Sequence, residues 1–245
     1  MHHLQDGLFK LPNNKIHIWF VNFDISEKKR NILSSLLSED ELIKASKFHF
    51  KKDRNQSIIT RGALRLLSSY YLNKKAKNIG FAYGEYGKPE YNFNTKLKFN
   101  VSHSNNMAVL GFILNSAIGV DIEKIKDDFD VLDIAGNFFS ELEIKALKKV
   151  PKEKQAAYFY RCWTRKESFI KGKAKGLSFP LDSFSVSIQS DKETELLETK
   201  WDEKEKNTWK LFTFSPHQDY IGAVSAQGPV TAIGHFNFND YDFII

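Results

Sequence analysis

Ile118-Gly119-Val120-Asp121-Ile122-Glu123 and, about forty residues later, Trp163-Thr164-Arg165-Lys166-Glu167-Ser168-Phe169-Ile170-Lys171 are the two stretches on which the fold turns. In an extended strand successive side chains point to opposite faces. Ile118, Val120 and Ile122 therefore share an apolar face, and Gly119, Asp121 and Glu123 share the other. The strand rise sets the two carboxylates roughly 7 Å apart on one stripe. Glu167 and Lys171 are four apart, which places them on one side of a helix. Taken singly, the first pattern is that of a half-solvated strand and the second that of a surface ion pair. Together, three convergent acids with a lysine beside them point to a divalent metal holding a phosphate.

Upstream of this pair, Lys15 to Phe23 is rich in β-branched and aromatic residues and is expected to be a buried strand. Helical patterns follow over Ser26–Leu37, from the capping-box signal at Ser38 and Glu41 to about Phe48, and over Asp53–Leu72. Tyr83 to Pro89 is a turn-rich loop, and strands Leu97–Val101 and Met107–Leu114 flank Ser102-His103-Ser104-Asn105-Asn106. Downstream the plan recurs. Ser140 and Glu143 repeat the capping signal, Gln155–Lys171 repeats the long helix, and Leu211–Phe214 with Tyr220–Ala226 repeats the hairpin. Phe179–Ile188 is expected to be a strand and the charged run Lys192–Lys206 an exposed loop. The expected class is α+β. Two similar α/β halves, 1–115 and 116–245, would stand in a pseudo-twofold arrangement with the active site in the cleft between them.

Bulk properties narrow the function classes. The single cysteine, Cys162, excludes an internal disulfide framework and suits a reducing compartment. No apolar run is long enough to span a bilayer, and Met1–Gly7 has no basic region leading into one. The expected location is the cytoplasm. Thirty-six Lys and Arg against 30 Asp and Glu give a net charge of +6, which favours acidic or polyanionic partners.

An all-carboxylate set at Asp121, Glu123 and Glu167, without clustered His or Cys, suits Mg²⁺ or Mn²⁺ rather than zinc. Lys171 could neutralise charge developing on a phosphoryl group. The Asn100-Val101-Ser102-His103-Ser104 turn offers hydroxyls and an imidazole to a phosphate; read alone it is a satisfied hairpin. Lys44, Lys47, Lys51, Lys52, Arg54, Arg61 and Arg65 form a basic set from which a phosphate clamp could be drawn, the plain alternative being a solvated helix face. Glu143 has two readings of equal weight, a capping residue or the base for an attacking hydroxyl. Phosphate-loop and dinucleotide glycine fingerprints are absent.

In order and spacing over roughly residues 38 to 190, these motifs resemble the 4′-phosphopantetheinyl transferase superfamily, in its larger, surfactin-type (Sfp-like) monomeric branch. The marks are Gly119-Val120-Asp121-Ile122-Glu123, Phe138-Phe139-Ser140, Trp163 with Lys166-Glu167 through Lys171, Gly176-Leu177 with Leu181-Asp182, Asn100 to Ser104, and Gly87-Lys88-Pro89. The resemblance implies an enzyme that moves the phosphopantetheine arm of coenzyme A onto a serine of an apo acyl or peptidyl carrier protein, releasing adenosine 3′,5′-bisphosphate. It implies Mg²⁺ on Asp121, Glu123 and Glu167, with Lys171 and the pair Ser102 and His103 on the phosphates. Lys88 would serve the adenine loop, and Glu143 is the proposed base. Lys44 matches the 3′-phosphate cluster, but Gln56 stands where an arginine is common, leaving Arg54 or Arg61 for that job. The competing class is a coenzyme A or carrier binder of the same fold without chemistry. A basic nucleic-acid binder has only charge in its favour.

Overall fold

The structure, a computed structural model, describes residues 9–176, 178–192 and 194–243. The Met1–Gly7 stretch and Leu177 lie outside these residues. Strand β1 (Lys15–Asn22) is buried from Ile16 to Val21 because it runs through the middle of a sheet. It pairs antiparallel with β5 (Met107–Leu114), which pairs in turn with β4 (Leu97–Ser104). A second sheet is built from β6 (Ile118–Lys124), β10 (Tyr220–Gln227) and β9 (Trp209–Phe214), all antiparallel. Two small hairpins, β2 with β3 (Phe81–Tyr83 and Pro89–Tyr91) and β7 with β8 (Phe184–Val186 and Leu196–Thr199), complete the strands up to β10.

Helices cover the outer faces. The first half holds α1 (Glu27–Ser34), α2 (Glu39–Ser46) and the 22-residue α3 (Lys51–Leu72). The second holds α4 (Val131–Phe138), α5 (Glu141–Lys148) and the 22-residue α6 (Lys152–Lys173). Trp19, Val21, Leu110 and Phe112 pack with Leu64 and Leu67 of α3 on one face of the first sheet. Ile16, Ile18, Val109 and Ile113 turn to the opposite face, against Ile118, Val120, Ile122 and Val224 of the second sheet. Leu211 and Ile221 then meet Phe169 and Ile170 of α6. The layers thus run helix, sheet, sheet, helix, each apolar face covered by the next.

The recurrence extends to details. Both α2 and α5 begin with a capping box, Ser38 with Glu41 and Ser140 with Glu143. Each box glutamate is buried against a buried cation of its own long helix, Glu41 with Arg65 and Glu143 with Lys166. Both long helices stop at a left-handed residue, Asn73 and Ala174. The mixed α+β architecture agrees with the sequence-based expectation.

Four features differ from that expectation, the first being that Ser102, His103 and Ser104, expected in the turn, continue β4 and pair with β5. The run Lys192–Lys206 contains β8, whose Leu196 and Thr199 are buried, because that strand caps the edge of β7. The Phe179–Ile188 strand is shortened to Phe184–Val186, as the chain makes a 3₁₀ turn over Leu181–Ser183 after Pro180. A last strand, β11 (Ala232–Asn237), returns to the first half and pairs in parallel with β1.

What positions the chemistry is the contact between β6 and α6. A Cβ on Gly119 would sit 2.0 Å from the Ser168 carbonyl and 2.2 Å from the Gly172 nitrogen, both backbone atoms. Only glycine lets strand and helix backbones approach this closely, and that approach brings Asp121 beside Lys171.

Candidate active site

Strands β4 and β6 lie side by side without a backbone ladder, so side chains make the link. Asn100 Oδ1 accepts from the Val120 amide at 2.8 Å. Two residues on, Ser102 Oγ donates to Asp121 Oδ1 at 2.8 Å, and two further, Ser104 Oγ donates to Glu123 Oε2 at 2.7 Å. The period of two on both strands makes the serines face the acids in register. From α6, Lys171 Nζ donates to Asp121 Oδ1 at 2.6 Å and to Ser102 Oγ at 3.1 Å.

Burial sets the electrostatics. Glu167, pushed up to about 7 by burial and then by the neighbouring Asp121 charge, takes up protons far more readily than an ordinary glutamate. Burial followed by Asp121 also raises Glu123. For Lys171, burial pulls downward, but the charge and hydrogen bond of Asp121, with Glu167 and Glu123, overcome it and raise the ammonium.

A cavity of about 720 Å³ opens over this cluster. It is lined by Ser102, His103, Asp121, Glu123, Glu167 and Lys171 from β4, β6 and α6, and by Lys44, Gln56, Thr60, Arg61, Tyr83 and Pro89 from α2, α3 and the β2–β3 hairpin. Arg61 is clamped by the Tyr83 hydroxyl at 2.8 Å, by Glu41 at 3.5 Å and by the face of Phe81. Lys44 lies over the Tyr83 ring. Among the described residues, the buried side-chain polar atoms without a hydrogen-bond partner are Thr60 Oγ1, Arg61 Nη1, Asp121 Oδ2 and Glu167 Oε1. All belong to residues of the cavity wall. An unpaired buried polar atom costs roughly 1–3 kcal/mol, so their grouping marks a place shaped for a ligand. Two of them belong to α3 of the first half, and the two carboxylate oxygens to β6 and α6 of the second.

The two free carboxylate oxygens, with Glu123 beside them, are the hard donors that Mg²⁺ or Mn²⁺ prefers, so the residues fit such an ion. Among the described residues no group of three Asp, Glu, His or Cys is drawn close enough together to hold a metal ion. Lys171 already holds Asp121 Oδ1.

Other residues expected in the site stand elsewhere. Glu143 is fully buried; Oε2 accepts from the Ser140 amide and faces Lys166 Nζ at 2.8 Å, while Oε1 accepts from the Val186 amide at 2.7 Å. It is absent from the cavity wall, and its counterpart Glu41 in the first half is held in the same manner. Of its two readings, the capping role accounts for its position. Arg54 is exposed and donates to the Phe48 carbonyl. Gln56 lines the cavity and donates to the Asn105 carbonyl. The Lys88 ammonium faces away from the cavity, toward backbone carbonyls of β6 and α6, and only its neighbour Pro89 lines the wall. Burial holds Lys88 down to about 8. Thr60, Tyr83 and Ser104 escaped the sequence reading as individual site residues. Ser104 was detectable, since Ser102 and Ser104 have the same spacing as Asp121 and Glu123.

Comparison with known proteins gives the family. Residues 117–225 match the family model described as the 4′-phosphopantetheinyl transferase superfamily, and residues 22–112 match that of the 4′-phosphopantetheinyl transferase N-terminal region. The chain belongs to the 4′-phosphopantetheinyl transferase family. Among its relatives, the transferase Sfp of Bacillus subtilis is 36% identical over 177 residues, spanning 72% of this chain and 78% of Sfp. The transferase ffp of Bacillus subtilis is 39% identical over 179 residues, with the same coverage of both chains. The transferase HetI of a Nostoc species is 28% identical over 221 residues, 89% of this chain and 90% of HetI. Among the described residues no helix is long and apolar enough to cross a membrane.

Proposed function

We propose that this chain transfers the 4′-phosphopantetheine group of coenzyme A to a serine hydroxyl of an apo acyl or peptidyl carrier protein and releases adenosine 3′,5′-bisphosphate. The observation that carries the reading is the two-poled cavity, with unpartnered donors of Arg61 and Thr60 opposite unpartnered oxygens of Asp121 and Glu167. A nucleotide with a terminal phosphate at one end and a diphosphate at the other answers both poles.

Arg61 and Thr60, with Lys44 at the rim, would hold the 3′-phosphate; Arg61 then fills the role left open by Gln56. Ser102 and His103 would steady the diphosphate. Asp121, Glu123 and Glu167 are the residues that would hold Mg²⁺ or Mn²⁺, which supplies charge neutralisation across the diphosphate when bound. Lys171, kept protonated by Asp121, would donate to the leaving bisphosphate as the P–O bond breaks. The attacking serine gives up its proton to solvent as its oxygen bonds to phosphorus. Glu143, sealed beneath α5, is left out of this sequence of events.

Since one chain supplies both walls of the cavity, a monomeric enzyme is our reading of the working unit, acting in the cytoplasm on fatty acid, polyketide or peptide carriers and not on nucleic acid. The positive charge would steer an acidic carrier, an effect on association rate more than on turnover. The test is to incubate the protein with coenzyme A, Mg²⁺ and a panel of apo carriers and to weigh the carriers. Gain of one phosphopantetheine mass, abolished by EDTA, is expected. Coenzyme A binding with no carrier gaining mass would leave only a binding module.

A further inference from the structure

The turn between β2 and β3 separates two environments. Tyr83 and Pro89 face the cavity, whereas Lys88 points through the far side of the same turn. Its ammonium donates to the carbonyls of Lys171 at 2.7 Å and Ile118 at 2.9 Å, with Gly172 at 3.5 Å. Lys171 and Gly172 lie in the last turn of α6, where carbonyls run short of intrahelical partners; the Lys171 carbonyl takes a long bond from the Ala174 amide at 3.3 Å, and Ile118 opens β6. A cation on these groups is favoured by the helix dipole as well as by hydrogen bonding. Tyr86 provides a second anchor. Its ring lies so close to Gly176, a residue at φ +66°, that a Cβ there would approach to 2.8 Å. The turn itself is tight, with the Gly84 amide on the Lys88 carbonyl and the Gly87 amide on the Gly84 carbonyl.

We infer that Lys88 is a positioning residue that pins the wall bearing Tyr83 and Pro89 to the end of α6. The two poles of the cavity belong to different halves of the chain, and their separation decides whether one nucleotide can reach both. Lys88 bridges them from behind, without touching the ligand. Because Tyr83 clamps Arg61, a turn that drifts from α6 also loosens the donor wall. The role differs from the adenine contact that the sequence resemblance implies for this lysine. Its effect on substrate rests on the proposed transfer reaction, but the pin itself does not.

The test uses full-length protein carrying Lys88→Met, which keeps the length and removes the donors, alongside Lys88→Arg. Hydrogen exchange read by mass spectrometry should show faster exchange in Lys88→Met at Gly84 and Gly87 and at Ala174 and Lys175, and restoration toward wild type in Lys88→Arg. In turnover assays Lys88→Met should raise KM for coenzyme A roughly tenfold, the scale of one charge-assisted hydrogen bond, with kcat at saturation little altered. Tyr86→Ala, which cuts the other anchor, should move KM in the same direction and serves if Lys88→Met does not fold. Unchanged exchange in both variants overturns the pin. Faster exchange with an unchanged KM overturns its role in the site. Failure of the wild type to modify any carrier defeats the transfer reading alone, since the exchange data stand apart from it.

Discussion

Replacing Glu167 by Gln should make the metal-free protein more stable and the enzyme inactive. The carboxyl is pushed from 4.5 in the unfolded chain to about 7 in the folded one, by burial first and Asp121 second. A raised folded-state value means that the contribution to stability is fully present below the unfolded value and is lost as pH rises through about 7. Above that, folding confines an ionised carboxylate in a poor environment. At 1.36 kcal/mol per pH unit the interval corresponds to about 3 kcal/mol, which partial screening trims to about 2–3 kcal/mol. Glutamine keeps the shape and carries no charge. For a chain of this size, about 2–4 °C per kcal/mol predicts a melting temperature for Glu167→Gln roughly 5–10 °C above wild type at pH 8.5 in EDTA. The gap should close as the pH falls toward 5. Thermal melts followed by circular dichroism across this range, paired with carrier assays, measure both halves of the claim. A variant no more stable than wild type at pH 8.5 would refute the idea that the acid cluster is electrostatically loaded.

Other perturbations probe separate links. Gly119→Ala forces a methyl into backbone atoms at 2.0 and 2.2 Å, so we expect a loss on the order of 3 kcal/mol or more and separation of Asp121 from Lys171. A melt matching wild type would show that strand and helix can part freely. Arg61→Ala should weaken coenzyme A roughly tenfold or more while leaving dephospho-coenzyme A nearly unaffected. Equal losses in calorimetric titrations would exclude Arg61 from the 3′-phosphate. Glu143→Gln leaves the buried Lys166 ammonium with the Leu181 and Phe184 carbonyls but no counter-ion, and should cost about 3–5 kcal/mol by denaturant unfolding. Transfer by its folded fraction should keep the wild-type kcat; a kcat lowered about a hundredfold or more would return Glu143 to the chemistry.

The parts of this molecule visible in the sequence are those encoded by local periodicity. The alternation at Ile118–Glu123, the i, i+4 pair in α6 and both capping boxes are short-range patterns, and each lies where its spacing predicts. What escaped depends on distant partners. β11 pairs with β1 across more than two hundred residues, and nothing in Ala232–Asn237 announces a parallel neighbour. β8 was concealed because a charged run masks its two leucines until β7 is beside it. Glu143 and Lys88 show the same limit for side chains. Residue type and motif say that an acid or a lysine is needed, but only packing reveals that one is sealed under α5 and the other turned toward α6.

The measurement closest to the central claim is a Mn²⁺ titration followed by electron paramagnetic resonance in the presence of coenzyme A, on wild type and on Asp121→Asn. One tightly bound ion per wild-type chain, dependent on coenzyme A and lost in the variant, is the predicted result. Undiminished ion binding by Asp121→Asn would contradict a site shared between β6 and α6.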